Sequence, residues 1–336
     1  MEAKELAERL TGFIREAGGF SNVQIDNLAR MPGGASREIW SFNATTKQNG
    51  TVVKRAMVLR RDPGEHRIDT NRRHEFMVLR AAFEEGVPVP EVFWFSEDKA
   101  VLGAAFFVMA LVEGETIARR LLRDADYARA RTVMPGQLAE ILARIHQVDP
   151  IKHQLDFLAQ PGENAALTEV LRYQDSFRRL ALEPHPAFEL AFRWLLSRIP
   201  RTPRTTLVHG DYRIGNVIFG HEGVRAILDW ELAHLGDPME DLGWMCVRAW
   251  RFGNDSMPVG GLGVREDFFH AYATASGHPV DPEAVRFWEV FGNLRWGIIT
   301  ISQARTHLDG FVKSVELASI GRRTAETELE LLNLIE

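Results

Sequence analysis

The chain opens on a helical period. Leu6, Leu10, Phe13, Ile14 and Ala17 share one face, and Gly18-Gly19 ends the run. The period then changes. Residues 23–29, 39–43 and 51–60 read as three antiparallel strands. The turn Met31-Pro32-Gly33-Gly34-Ala35-Ser36 separates the first two, and Asn49-Gly50 is a hairpin signal between the next two. Residues 71–84 return to a helical pattern, with Phe76, Leu79 and Phe83 on one face. Gly86-Val87-Pro88-Val89-Pro90 breaks it. Residues 92–95 and 105–112 follow as strands, the latter apolar on both faces as a central strand is. Beyond Thr116 the pattern is mainly helical. Residues 128–148 form an amphipathic stretch and 149–165 a loop. Helices are expected at 189–198, 265–274, 282–306 and 313–335. The fold class is therefore α+β: a small antiparallel sheet, then a mostly helical remainder.

One stretch, residues 205–244, breaks this alternation and concentrates polar chemistry. Leu207-Val208 ends a buried strand. The loop His209-Gly210-Asp211-Tyr212-Arg213-Ile214-Gly215-Asn216 follows. Two short strand patterns, Val217-Ile218-Phe219 and residues 224–228, are joined by Gly220-His221-Glu222-Gly223. The second delivers Asp229-Trp230-Glu231. A loop aspartate, an asparagine and a second aspartate returned by a hairpin suit one task, holding Mg²⁺ and a hydroxyl around a phosphate. Asp211 would orient or deprotonate the attacking hydroxyl. Asn216 offers a neutral oxygen to a hard cation, and Asp229 a charged one.

The spacing is that of the phosphoryl-transfer template H-x-D-x-x-x-x-N with a later aspartate. HGDYRIGN, LDWELAHLGDP and DLGW resemble the aminoglycoside phosphotransferase-like kinases. They are most similar to the branch associated with acyl-CoA dehydrogenases. The resemblance runs from about Arg30 to about Leu331. It implies a protein-kinase-like fold of two lobes, residues 1–110 binding nucleotide and 111–336 carrying catalysis and substrate, with ATP and Mg as cofactors. It places Arg60 on the phosphates, where kinases carry lysine, with Arg61 as the register-shifted alternative. It makes Glu75 the partner of Arg60 and lays the Gly33, Gly34 and Ser36 turn over the nucleotide. The backbone of Ala110 and Val112 would meet the adenine edge. Glu231 is a further candidate at the metal or substrate edge, and Asp241 would point back to brace the catalytic loop.

Simpler readings exist for several of these residues. His209 and His146 serve as packed structural histidines. Asp237-Pro238 is a helix cap followed by proline. Asp241 alone is a first-turn carboxylate, and Glu75 an acid favoured near a helix N-terminus. Trp244, Trp250, Trp288 and Trp296 sit at core-like spacing, an aromatic cage for a quaternary amine being the sharper alternative.

Composition narrows the class further. The 336 residues are 45% hydrophobic and 26% charged with net charge −6, so no broad basic surface for nucleic acid is implied. The single cysteine, Cys246, excludes an intramolecular disulfide and a cysteine-based zinc cage. No signal-peptide core or membrane-length apolar run is present, so the expected location is cytoplasmic. The function expected is ATP- and Mg²⁺-dependent phosphorylation of a small-molecule hydroxyl. The apolar run around Arg295 favours a hydroxyacyl compound or its CoA thioester over an aminoglycoside or choline-like amine. A functional association with an acyl-CoA dehydrogenase accompanies that expectation. Two rivals are a nucleotide-binding module without catalysis and a non-haem iron oxygenase. The oxygenase would use His209, Asp211 and one of His221, His234 or His278.

Overall fold

The computed structural model describes residues 1–31, 38–61 and 71–336. The Gly33, Gly34 and Ser36 turn lies outside the described residues. The chain divides into two compact units, Met1–Gly114 with Arg225–Glu231, and Glu115–Val224 with Leu232–Glu336.

The first unit contains α1 (Ala3–Ala17), β1 (Asn22–Arg30), β2 (Glu38–Gln48), β3 (Thr51–Arg61), α2 (Arg72–Glu84), β4 (Val92–Ser96), α3 (Lys99–Leu102) and β5 (Phe106–Ala110). Its five strands form an antiparallel sheet in the order β1-β2-β3-β5-β4. Leu6, Leu10 and Ile14 of α1 are fully buried against Phe42, Met57, Leu59, Phe106 and Val108, so the opening helix packs on its own sheet. The stripe on α2 differs from the sequence expectation. Phe83 is 44% exposed, and the buried side carries Arg72, Glu75, Leu79 and Ala82. A charged pair thus occupies the inward face, which an apolar-only pattern cannot show. Asn71 caps the helix by accepting from the Arg73 and His74 N–H groups.

The second unit runs α4 (Ala118–Arg123), α5 (Ala128–Ile145), α6 (Ala165–Leu180), α7 (Pro186–Leu196), β6 (Thr206–Val208), β7 (Val217–Gly220), β8 (Gly223–Ile227), β9 (His234–Gly236), α8 (Met239–Cys246), α9 (Arg265–Ser276), α10 (Pro282–Leu308), α11 (Val315–Ile320) and α12 (Thr324–Ile335). The end of β8, from Arg225, belongs to the first unit, where the Ile227 N–H donates to Pro88 O at 2.8 Å. β6 pairs antiparallel with β9. The expected helix over 313–335 is two helices, α11 and α12, joined by a 3₁₀ turn at Gly321–Arg323. α6 fills a region for which the sequence reading assigned no element. Among the described residues no helix is long and apolar enough to cross a membrane.

Candidate active site

In the first unit the site is built around Arg60. β3 alternates faces, and the two adjacent arginines part company. Arg61 turns to Glu38 at 2.6 Å and to the Leu102 carbonyl. Arg60, 7% exposed, turns to Glu75 Oε1 at 2.5 Å, Asp229 Oδ1 at 3.4 Å and Glu231 Oε2 at 3.9 Å. Arg72 also pairs with Glu75. Two arginines, Arg60 and Arg72, and three carboxylates, Glu75, Asp229 and Glu231, thus meet among the described residues. The Nε of Arg60 is buried with no hydrogen-bond partner among the described residues. Asp229 is the most open carboxylate of the cluster, its side chain 31% exposed, against 15% for Glu231 and 3% for Glu75. Its backbone takes φ 67, a left-handed conformation that aspartate tolerates better than most residues. A partly exposed carboxylate is a donor type that suits a hard divalent cation.

The edge after β5 is the second feature of this unit. The Leu111 N–H donates to Ala56 O, back toward β3. The Ala110 N–H donates to Glu91 O at 2.8 Å on the other side, at the start of β4. The Val112 N–H, two positions after Ala110, has no backbone partner among the described residues.

In the second unit the loop after β6 is held from behind. Asp241, fully buried on α8, accepts the His209 N–H at 2.8 Å and the Gly210 N–H at 2.9 Å. Burial alone would raise the Asp241 carboxyl. The side-chain bond from His146 at 3.2 Å and the backbone N–H of His209 outweigh it, so Asp241 is held below the usual carboxylate range. His146 continues to the Tyr272 hydroxyl at 2.7 Å. Gly210 has φ 78, and a Cβ there would meet the Leu232 carbonyl at 2.5 Å, so only glycine fits. His209 is fully buried, and its Nδ1 accepts the Asp211 N–H. Asp237 accepts the Met239 N–H at 2.9 Å and so caps α8.

Asp211 is thereby presented with its side chain 12% exposed. It accepts from Trp244 Nε1 at 2.8 Å, Arg213 Nε at 3.0 Å and Asn216 Nδ2 at 2.6 Å. Asn216 also donates to the Asp211 carbonyl at 3.0 Å. The Asn216 amide nitrogen is thus committed twice to Asp211. A Cβ at Gly215 would overlap the Arg213 guanidinium, so this glycine makes room for the Arg213 side chain.

Arg295 is not at a surface. It is 1% exposed, 3.0 Å from Glu240, with its guanidinium 4.7 Å from the Trp244 ring centre. Arg213 lies 4.7 Å over Trp250. These indole faces therefore take up the chain's own cations, which leaves them unsuited to caging a quaternary amine.

Glu169, His234 and Glu240 are the only group with metal-ligand spacing among the described residues. Arg172 pairs with Glu169 and Arg295 with Glu240, so both carboxylates are already balanced. His234 donates through Nδ1 to Leu232 O at 2.9 Å and meets Glu240 at 3.2 Å. Burial works against its charge, but Glu240 and Glu169 push its pKa up to about 9. The cluster holds a proton more readily than a metal. His221 is taken up by Asp126 O and the Tyr127 ring, so the oxygenase constellation around His209 and Asp211 is not assembled.

The sequence reading did not anticipate the donor role of Trp244 or the α6 residues Glu169 and Arg172. The tryptophan was legible only as core. The α6 stripe of Ala166, Val170 and Phe177 was available as a helical signal.

The family model described as the phosphotransferase enzyme family matches residues 31–288, and the chain belongs to that family. It is 29% identical over 290 residues to acyl-CoA dehydrogenase family member 10 of Mus musculus, covering 81% of this chain and 26% of that protein. Identity to the protein named "Probable acyl-CoA dehydrogenase IBR3" of Arabidopsis thaliana is 30% over 317 residues, 86% of this chain and 37% of that one. The chain thus spans roughly a quarter to a third of these curated relatives. Among solved structures, a "putative aminoglycoside phosphotransferase" from Ralstonia eutropha superposes with TM-score 0.78 at 25% identity, covering 98% of this chain and 97% of that one. Spectinomycin phosphotransferase, solved with ADP and spectinomycin, shares the fold at TM-score 0.61 and 12% identity, covering 97% of this chain and 98% of that one. The mixed α+β, kinase-like architecture expected from the sequence is the one observed, and the oxygenase rival falls with it.

Proposed function

We propose that this phosphotransferase-family chain transfers the γ-phosphoryl group of ATP to the hydroxyl of a small molecule, with Mg²⁺. The observation that carries the reading is the double commitment of the Asn216 amide nitrogen to Asp211, at 2.6 and 3.0 Å. It ties the hydroxyl-orienting carboxylate to a neutral metal ligand in one rigid loop.

The first unit serves the nucleotide. Arg60 binds phosphate oxygens, and Glu75 holds its guanidinium in place. The backbone of Ala110 and Val112 would meet the adenine edge, and Gly33, Gly34 and Ser36, outside the described residues, are kept as candidates for the phosphates. The second unit serves the acceptor. Asp211 fixes the hydroxyl for in-line attack and receives its proton. Asn216 and Asp229 would hold Mg²⁺, with Glu231 a further candidate, and the ion would supply positive charge for the phosphate oxygens.

For the acceptor we favour a hydroxyacyl compound, free or as its CoA thioester, ahead of an amino sugar. The support is the acyl-CoA dehydrogenase context of the curated relatives and the pairing of Glu169 and Glu240 with arginines, which leaves no spare carboxylate there for an amine. Arg295, the substrate-side candidate, is the counter-charge of Glu240 beneath Trp244. A cytoplasmic location and a functional association with an acyl-CoA dehydrogenase complete the proposal. The alternative is a nucleotide-binding protein without catalysis, favoured only by arginine at position 60.

A screen with purified chain, Mg²⁺ and γ-labelled ATP tests this, offering hydroxyacyl-CoAs, free hydroxy acids, choline-like amines and aminoglycosides. Label transfer to a hydroxyacyl compound is expected. Transfer to amines alone overturns the acceptor, and nucleotide binding with no transfer to any acceptor overturns catalysis.

A further inference from the structure

A carboxylate has about four acceptor positions, two on each oxygen. At Asp211 three are filled from within the second unit. Oδ1 accepts from both Trp244 Nε1, at 2.8 Å, and Arg213 Nε, at 3.0 Å. Oδ2 accepts from Asn216 Nδ2 at 2.6 Å. Among the described residues one position remains, and it belongs to Oδ2.

Both donors to Oδ1 are clamped on indole rings. Arg295 lies over Trp244 and Arg213 over Trp250, each at 4.7 Å, and the two rings are 5.2 Å apart. Trp244 is 3% exposed, and an indole N–H can only donate. Its seat is made by Gly292, where a Cβ would come 2.6 Å from Val247 and 3.2 Å from the Trp244 ring. The tryptophan is therefore fixed in place with its one polar atom spent on the catalytic carboxylate.

We propose that Trp244 is a positioning residue: with Arg213 it consumes Oδ1, so that Oδ2 is the oxygen that takes the acceptor proton. The inference rests on the phosphotransferase reading. In the reaction the acceptor oxygen forms a bond to the γ-phosphorus as the bond from that phosphorus to the β–γ bridging oxygen breaks. The bridging oxygen leaves with the electron pair, as ADP. The hydroxyl proton passes to Oδ2 and then to water. Without the indole N–H, Oδ1 regains an open position. The carboxylate can then present either oxygen, and the aligned fraction falls.

Trp244→Phe keeps a ring in the same seat and removes the N–H. ADP release is read with water as the acceptor and with hydroxyacyl-CoAs. The expected result is a fall in kcat of about 10- to 100-fold, the size of one hydrogen bond to a charged group, with KM for ATP unchanged. In an Asp211→Asn background the same substitution should cost nothing further, because both residues act through one group. Arg213→Met, more exposed and less buried in packing, should show the same non-additivity. Equal losses in both backgrounds for Trp244→Phe mean general structural damage and overturn the proposal. A wild-type chain that releases no ADP with any acceptor overturns the phosphotransferase reading, and this inference with it.

Discussion

Arg60 and Asp229 are 169 positions apart in the chain, and their side chains meet at 3.4 Å. The meeting is a consequence of β8. Its last residues return to the first unit, and the bond from Ile227 to Pro88 sets down the next turn, with Asp229, beside β3. The cation proposed for phosphate and the carboxylate proposed for the metal thereby belong to one compact unit.

The Arg60 pairing with Glu75 gives the first prediction. Arg60→Ala should weaken ATP binding by about 10- to 100-fold, the worth of a charge-assisted contact. Glu75→Ala should do the same more mildly. The double variant should lose less than the sum, since the residues act as one unit. Calorimetric titration with nucleotide checks this, and strict additivity would show that the pair does not work together.

Asp229 gives the second. Asp229→Asn keeps a residue that tolerates φ 67 and removes the charge. Mg²⁺-dependent nucleotide binding should be lost while Tm stays near that of the wild type. Asp229→Val should lose both, because a β-branched side chain at this φ adds about 1–3 kcal/mol of strain. Wild-type Mg²⁺ dependence in the asparagine variant would remove Asp229 from the metal site.

Much of this was legible because it is local. HGDYRIGN and the hairpin to Asp229 are short-range patterns, and their spacing already implies a loop, a turn and a returning strand. The choice of Arg60 over Arg61 came from the family resemblance alone, since strand alternation gives two faces without saying which faces Glu75. Trp244 was out of reach for another reason. Its role depends on where one N–H points after α8 and α10 have packed, and nothing in the spacing of DLGW encodes that direction. The buried face of α2 misled because a paired arginine and glutamate replaced the apolar residues that periodicity looks for.

His234 gives a pH-dependent prediction. Its pKa is raised in the folded chain to about 9, from 6.5. The folded state therefore binds the proton more tightly than the unfolded one. This contribution, up to about 3 kcal/mol, is fully present below pH 6.5 and is lost as pH rises through about 9. Thermal unfolding followed between pH 6 and 10 should show Tm falling across that window. His234→Gln should flatten the fall. A wild-type Tm no more sensitive than that of the variant would contradict the Glu240 and Glu169 pairing as the source of the shift.

The central claim is that Asp211 handles the acceptor hydroxyl and does not hold the nucleotide. The most direct measurement is the comparison of wild type and Asp211→Asn in two readings, kcat for ADP release and Kd for MgATP. The account predicts that kcat falls by about 10²–10⁴-fold, the range of general-base contributions, while the Kd stays within a few-fold. An unchanged kcat, or a Kd that collapses together with kcat, would contradict it.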